Sequence, residues 1–244
     1  LVGSEMCIRD RAKTVNQQTK RHKPMNKNNL IISVGRQLGS GGHDVAKLLA
    51  QRFGCTFYDR EILNIAAKES GFCEKFFEQT DEQKGFMKSL FHTHVPFVAD
   101  NSFYNNNFSE ESLFKFQSDA IRKAAEEGPC VFVGRCADYI LRDHTALVSV
   151  FITADTNERI SNVAKRDKCS LEAAKKTITS RESERSSYYN YYTGKQWGDS
   201  ASYDICVNSS LLGLEGTVNL LAEFITRCLS AKGIDAPVTK EGKR

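Results

Sequence analysis

The chain has 244 residues, 40% hydrophobic and 26% charged, a composition that supports a full buried core and excludes disordered, collagen-like and coiled-coil classes. Its net charge of +4 sits at the ends: residues 1–28 hold 7 basic and 2 acidic side chains and residues 231–244 hold 4 and 2, leaving 23 basic against 26 acidic between them. No nucleic-acid or membrane partner is expected, because the body is not basic and no apolar run nears the roughly 18 residues of a membrane span, so a cytoplasmic protein that binds anions by a local device is the expectation.

Residues 1–11 lack periodicity and resemble a translated sequencing adapter, and residues 12–24 have no apolar face. Residues 1–28 are expected to form a non-native or disordered tail, with the native chain starting near Met25. Residues 30–34 are a continuous apolar run that stops at Gly35, a strand buried on both faces. A glycine-rich turn follows, and Val45, Ala46, Leu48, Leu49 and Phe53 then recur at helical spacing until Gly54. Residues 55–58 read as a second strand ending at Asp59, and residues 60–70 as a helix. Residues 72–109 read as a helical insert with a polar, Asn-rich end. Residues 110–127 form a helix closed by Gly128 and Pro129, residues 130–133 a third strand, and a short helix runs through Leu141. A β-branched strand over 146–152 precedes a helix over 156–167, and Ser170 caps another running toward Tyr192. Residues 203–207 are the last strand and 214–229 the closing helix, with 231–244 a disordered tail. Strands alternating with helices predict a largely parallel sheet covered on both faces, a three-layer α/β/α domain. The 8 cysteines include no Cys-x-x-Cys pair and are expected to be reduced and mostly buried.

The strongest local signal is the segment Gly35-Arg36-Gln37-Leu38-Gly39-Ser40-Gly41-Gly42-His43-Asp44 between the first strand and its helix. Glycines there let backbone amides curl around an anion, and the helix N-terminus adds partial positive charge. The pattern departs from the usual phosphate loop, since Gly42 stands where Lys is expected and His43 where the magnesium-binding Ser or Thr is expected. A plain glycine-rich connector would read the same way.

Together with Tyr58-Asp59-Arg60-Glu61, Gly134-Arg135-Cys136-Ala137-Asp138 and the run from Tyr188 to Gly198, this segment resembles the cytidylate kinase-like family, over nearly all of residues 29–230. The resemblance implies a P-loop kinase-like core with a helical acceptor-binding insert over about 60–127 and an arginine-bearing helical lid over about 166–200. It further implies transfer of the γ-phosphoryl group of ATP, with Mg2+, to a nucleoside monophosphate such as CMP or dCMP. Residues Gly39, Ser40, Gly41, Gly42, His43 and Asp44 would cradle the donor phosphates. Arg135 resembles the acceptor-contacting Arg of a Gly-Arg-Asp segment in which Cys136 replaces the Asp; its alternative is pairing with Asp138, itself grouped with the acceptor-binding residues.

By the same resemblance Asp59 would hold magnesium through water or orient the acceptor, and Arg60 would meet the acceptor phosphate, although Asp-Arg-Glu also suits a helix start. Arg181 and Arg185, four residues apart, resemble lid arginines that close on the transferring group; the spacing equally permits Arg181–Glu184 and Glu182–Arg185 pairing. Arg36 is the candidate substitute for the missing Lys. The tyrosines of 188–192 and Trp197 are expected mainly to pack the lid. A nucleotide-sensing module without turnover, or another phosphate-binding enzyme, would fit the same loop.

Overall fold

A computed structural model describes residues 29–59 and 110–235. Five parallel strands, β1 (Ile31–Arg36), β2 (Thr56–Tyr58), β3 (Cys130–Val133), β4 (Leu147–Thr153) and β5 (Ile205–Asn208), form one sheet in the order β2-β3-β1-β4-β5. Among the described residues the helices are α1 (Gly42–Phe53), α2 (Glu110–Glu127), α3 (Ala137–Ile140), α4 (Thr156–Asp167), α5 (Leu171–Thr193) and α6 (Ser209–Ala231).

Alternation along the strands builds the layers. Ile32, Val34, Val131, Val133, Val148, Val150 and Ile152 point to one face, where Val45, Leu49 and Phe53 of α1 and Val218, Leu221 and Ile225 of α6 cover them. Ile31, Cys130 and Phe132 point to the other, against Ile121 and Ala125 of α2, Ile140 of α3 and Tyr189 of α5. The expected three-layer α/β/α fold is therefore present, and α4 and α5 pack on each other through Val163, Ala174 and Ile178.

Several boundaries differ from the sequence reading for identifiable reasons. Strand β1 continues past Gly35 to Arg36 because β4 pairs with it as far as Ile152. Gly35 permits this, since a Cβ there would lie 2.6 Å from the Phe151 ring. Helix α6 starts at Ser209 rather than Leu214 because Gly213 (φ 65°, ψ −178°) joins two helical pieces across a kink. Ser170 caps α5 as expected, its hydroxyl accepting from the Ala173 amide at 3.2 Å. The helix expected over 60–70 and the insert over 72–109 lie outside the described residues.

Among the described cysteines all six are free; Cys130 and Cys136 are buried, whereas Cys206 is exposed. Burial pushes the thiols of Cys55, Cys130 and Cys136 up to about 12, which leaves them protonated and unreactive. No described helix is long and apolar enough to cross a membrane.

Candidate active site

The site lies beyond the carboxyl ends of β1 and β3, where the chain order across the sheet reverses and the strand-to-helix loops diverge. The loop from Gln37 to Gly41 is held by a hydrogen bond to β4 and another within itself. Gln37 N donates to Ile152 O at 3.0 Å, and the buried Ser40 hydroxyl donates to Gln37 O at 2.9 Å. Ser40 thus shapes the loop from within. Gly39 (φ +83°) approaches α4 so closely that a Cβ would meet Arg159 O at 2.5 Å. Gly41 caps α1 at φ 71°, and the Asp44 and Val45 amides donate to its carbonyl.

Gly42 has a different purpose. A Cβ at that position would lie 2.5 Å from Arg36 Cβ, so the stem of Arg36 occupies the space a side chain at 42 would need. Farther along the same side chain, Nη1 lies 2.6 Å from where a Cβ on Gly134 would sit. Two glycines from separate turns therefore make the channel through which Arg36 passes, from the start of α1 to the end of β3.

Arg36 shares this region with Arg185, whose Nη1 donates to the Arg36 carbonyl at 3.3 Å, and with Arg135. Burial, Arg185 and Arg135 together pull the Arg36 guanidinium down from its ordinary 12.5 to about 9, with Asp59 opposing. Arg185 is lowered by burial, while Glu182 partly offsets the effect. Three cations held this closely, with Asp59 as the carboxylate acting on Arg36, form a concentrated positive centre suited to a polyanion.

Arg135 is presented by unusual backbone. Gly134, Arg135 and Cys136 have φ of 73°, 58° and 56°, three successive left-handed residues of which two carry side chains. Such conformations cost on the order of 1 kcal/mol each and persist only where surrounding structure enforces them. The Arg135 guanidinium stands 5.7 Å from the Tyr188 ring centroid, and Tyr188 donates its hydroxyl to Gln117 Oε1 at 2.9 Å. Among the described residues Arg135 has no carboxylate partner within ion-pair distance.

The remaining expected site residues separate into two groups. His43, at the second position of α1, has Nε2 3.4 Å from Asp59 Oδ2 and Nδ1 3.8 Å from Asp44 Oδ1, which joins the helix start to the end of β2. Asp138 is instead in the core, where its carboxylate accepts the Tyr189 hydroxyl at 2.6 Å and burial raises its proton affinity. Arg181 turns to Glu184 at 3.3 Å and is half exposed, so of the two arginines expected to act together only Arg185 reaches Arg36, at its carbonyl. Glu182 pairs with Arg159 rather than with Arg185. Arg60 lies outside the described residues.

Replacing Tyr189 by Phe should destabilise the protein by about 1–3 kcal/mol, because Asp138 keeps its burial and loses its donor. Burial already raises the folded-state proton affinity of Asp138 and loss of the Tyr189 donor raises it further, so this penalty is full at neutral pH and fades on acidification as the carboxyl of the folded protein takes up its proton. Urea denaturation of both proteins at neutral and acidic pH measures the difference.

Sequence reasoning missed Arg159, Asn162 and Ser209 and considered Glu182 only as a helical partner of Arg185; all four brace the loop from outside. Asn162 donates to Gly39 O at 3.0 Å and Ser209 to Ser40 O at 2.8 Å. One signal was available: Arg159 precedes the buried Val163 by four residues, which puts an arginine on the apolar face of α4.

A family model described as the cytidylate kinase-like family matches residues 31–211. The cytidylate kinase of Pyrococcus horikoshii is 28% identical over 203 residues, covering 82% of this chain and 91% of the relative. That of Methanococcus vannielii is 22% identical, covering 80% and 99%. Among solved structures, an uncharacterized protein from Eubacterium ventriosum superposes with a TM-score of 0.62 at 27% identity, over 80% of this chain and 98% of that one.

Proposed function

The chain belongs to the cytidylate kinase-like family, and on that premise we propose that it moves the γ-phosphoryl group of ATP to a nucleoside monophosphate such as CMP or dCMP. The observation that supports this reading is that, beside the glycine loop, Arg185 donates to the Arg36 carbonyl and the charges of Arg185 and Arg135 both act on the buried Arg36 guanidinium. Phosphoryl transfer asks for positioning and neutralisation of charge more than for covalent chemistry, and three guanidiniums meet that demand.

In this reading the loop from Gly39 to Asp44 receives the donor phosphates at the N-terminus of α1. Arg36 supplies there the cation that a loop lysine would supply, from strand β1 instead of the helix. Arg185 reaches the transferring group from the lid, and Arg135 holds the acceptor phosphate from the far side. Asp59, partly exposed between Arg36 and His43, offers a carboxylate oxygen of the kind magnesium takes, directly or through water. No group of three or more metal-ligating side chains exists among the described residues, so the ion would complete its shell with water and donor oxygens. Magnesium supplies bridging charge between those oxygens when bound.

The test is magnesium-dependent ADP formation from ATP against CMP, dCMP, UMP, AMP, GMP and non-nucleotide acceptors. Turnover with a pyrimidine monophosphate, reduced at least about 100-fold by Arg135→Ala, is the expected result. ATP binding with every acceptor silent would replace this reading with a nucleotide-sensing module, for which the absent loop lysine and hydroxyl would be the explanation.

A further inference from the structure

We propose that Glu182 and Arg159 are positioning residues: as one ion pair they clasp the Leu38 peptide and hold the middle of α5 against the loop, so that Arg185 is set beside Arg36 before any ligand arrives. This rests on the reading of the site as a phosphoryl-transfer centre and gives a role to two residues outside it.

Both polar groups of one residue's backbone are engaged. The Leu38 amide donates to Glu182 Oε1 at 3.0 Å, and the Leu38 carbonyl accepts from Arg159 Nε at 3.0 Å. Arg159 Nη2 closes the ring on the same Glu182 oxygen. The two side chains are 6% and 20% exposed. A buried pair of this kind is a poor source of stability, since desolvation consumes most of the attraction and apolar replacements are often as stable. Its gain here is geometric. Three elements, the loop, α4 and α5, meet at one residue, and the backbone of Arg159 already abuts Gly39.

The pair also routes charge. Residue spacing on α5 would let Glu182 neutralise Arg185 within the helix, as Glu184 does Arg181. With Glu182 hydrogen-bonded to Arg159 and Leu38, Arg185 donates to the Arg36 carbonyl, and the charge of Arg135 acts on it. Two turns of α5 thus contact the site: 182 and 185 hold the loop end, and 188 holds Arg135.

The experiment compares wild type, Glu182→Gln and the charge-free pair Arg159→Met/Glu182→Met, each with and without Arg185→Ala. The second variant removes the clasp without stranding a buried charge. Amide exchange at Leu38 in the ligand-free proteins reads the clasp directly, and kcat and KM with MgATP and CMP read its consequence. Both clasp variants are expected to speed Leu38 exchange at least tenfold and lower kcat about tenfold with KM for MgATP changed less than twofold. Arg185→Ala should then add less than threefold to either, because the arginine is already misplaced. Unchanged Leu38 exchange, a loss confined to KM, or losses at 182 and 185 that multiply would overturn the proposal. If wild type turns over no acceptor, the proposed function fails separately, and Leu38 amide exchange in the ligand-free proteins decides the clasp: at least tenfold faster exchange in the Arg159→Met/Glu182→Met protein upholds it and unchanged exchange overturns it.

Discussion

Replacing Arg36 by methionine should lower turnover by about 1,000-fold and at the same time stabilise the ligand-free protein by about 1–3 kcal/mol. The two effects share one cause. The Arg36 guanidinium is buried beside Arg185 and Arg135, and its proton affinity falls from 12.5 to about 9. Because the folded value lies below the unfolded one, the charged form is penalised at every pH under about 9, and the penalty fades as pH rises from there toward 12.5. A tenfold loss of proton affinity corresponds to about 1.4 kcal/mol, which sets a ceiling of about 5 kcal/mol, and the packing and hydrogen bonds lost with the guanidinium take back part of it. A phosphate among the three arginines reverses their repulsion, so MgATP should stabilise wild type more than Arg36→Met. Urea denaturation with and without MgATP, together with kcat, settles the matter; a variant less stable than wild type, or one that retains turnover, would contradict the account.

Inserting the lysine that phosphate loops usually carry should inactivate this protein. Gly42→Lys brings a Cβ to 2.5 Å from Arg36 Cβ and to 3.1 Å from Ile152 Cβ, and neither neighbour is the movable tip of a side chain. The expected result is a loss of at least about 100-fold in kcat/KM and about 2–4 kcal/mol in stability, through overpacking and displacement of Arg36. The pair Arg36→Gly/Gly42→Lys clears the channel and recreates the spacing G-x-x-x-x-G-K. It should bind MgATP more tightly than either single variant, a positive interaction that shows the two cations to be alternative occupants of one space. Calorimetric titration of the four proteins measures it. Undiminished MgATP binding by Gly42→Lys alone would refute the steric argument.

How far the sequence could be read follows the range of the interactions concerned. Strands β1, β3 and β4 were legible because their apolar runs are continuous, as strands covered on both faces must be. Helix α4 was legible over Thr156–Asp167 because its apolar spacing is local. The glycine loop was visible as a loop, but the separate purposes of its glycines were not. Gly39 answers to Arg159 and Gly42 to Arg36, and such contacts are written in no local pattern. Arg181 and Arg185 have the same spacing logic, and only the packing of α5 sends one to solvent and the other to Arg36. Asp138 follows a glycine-arginine pair that suggests ligand binding, yet its partner is Tyr189, 51 residues away.

The strand order carries a consequence for how the protein is made. β1 emerges first yet occupies the middle of the sheet, and its partners are Cys130 to Val133 and Leu147 to Ile152. During synthesis it must wait for about a hundred residues, several seconds at ribosomal speed, with both hydrogen-bonding edges open and the sequence Ile31-Ile32-Ser33-Val34 uncovered. The nascent chain is therefore most vulnerable to association with its neighbours before β3 appears, and high contact order makes sheet closure the slow event of folding. Yield on expression should depend on chaperone capacity and temperature during that interval more than on the stability of the finished fold.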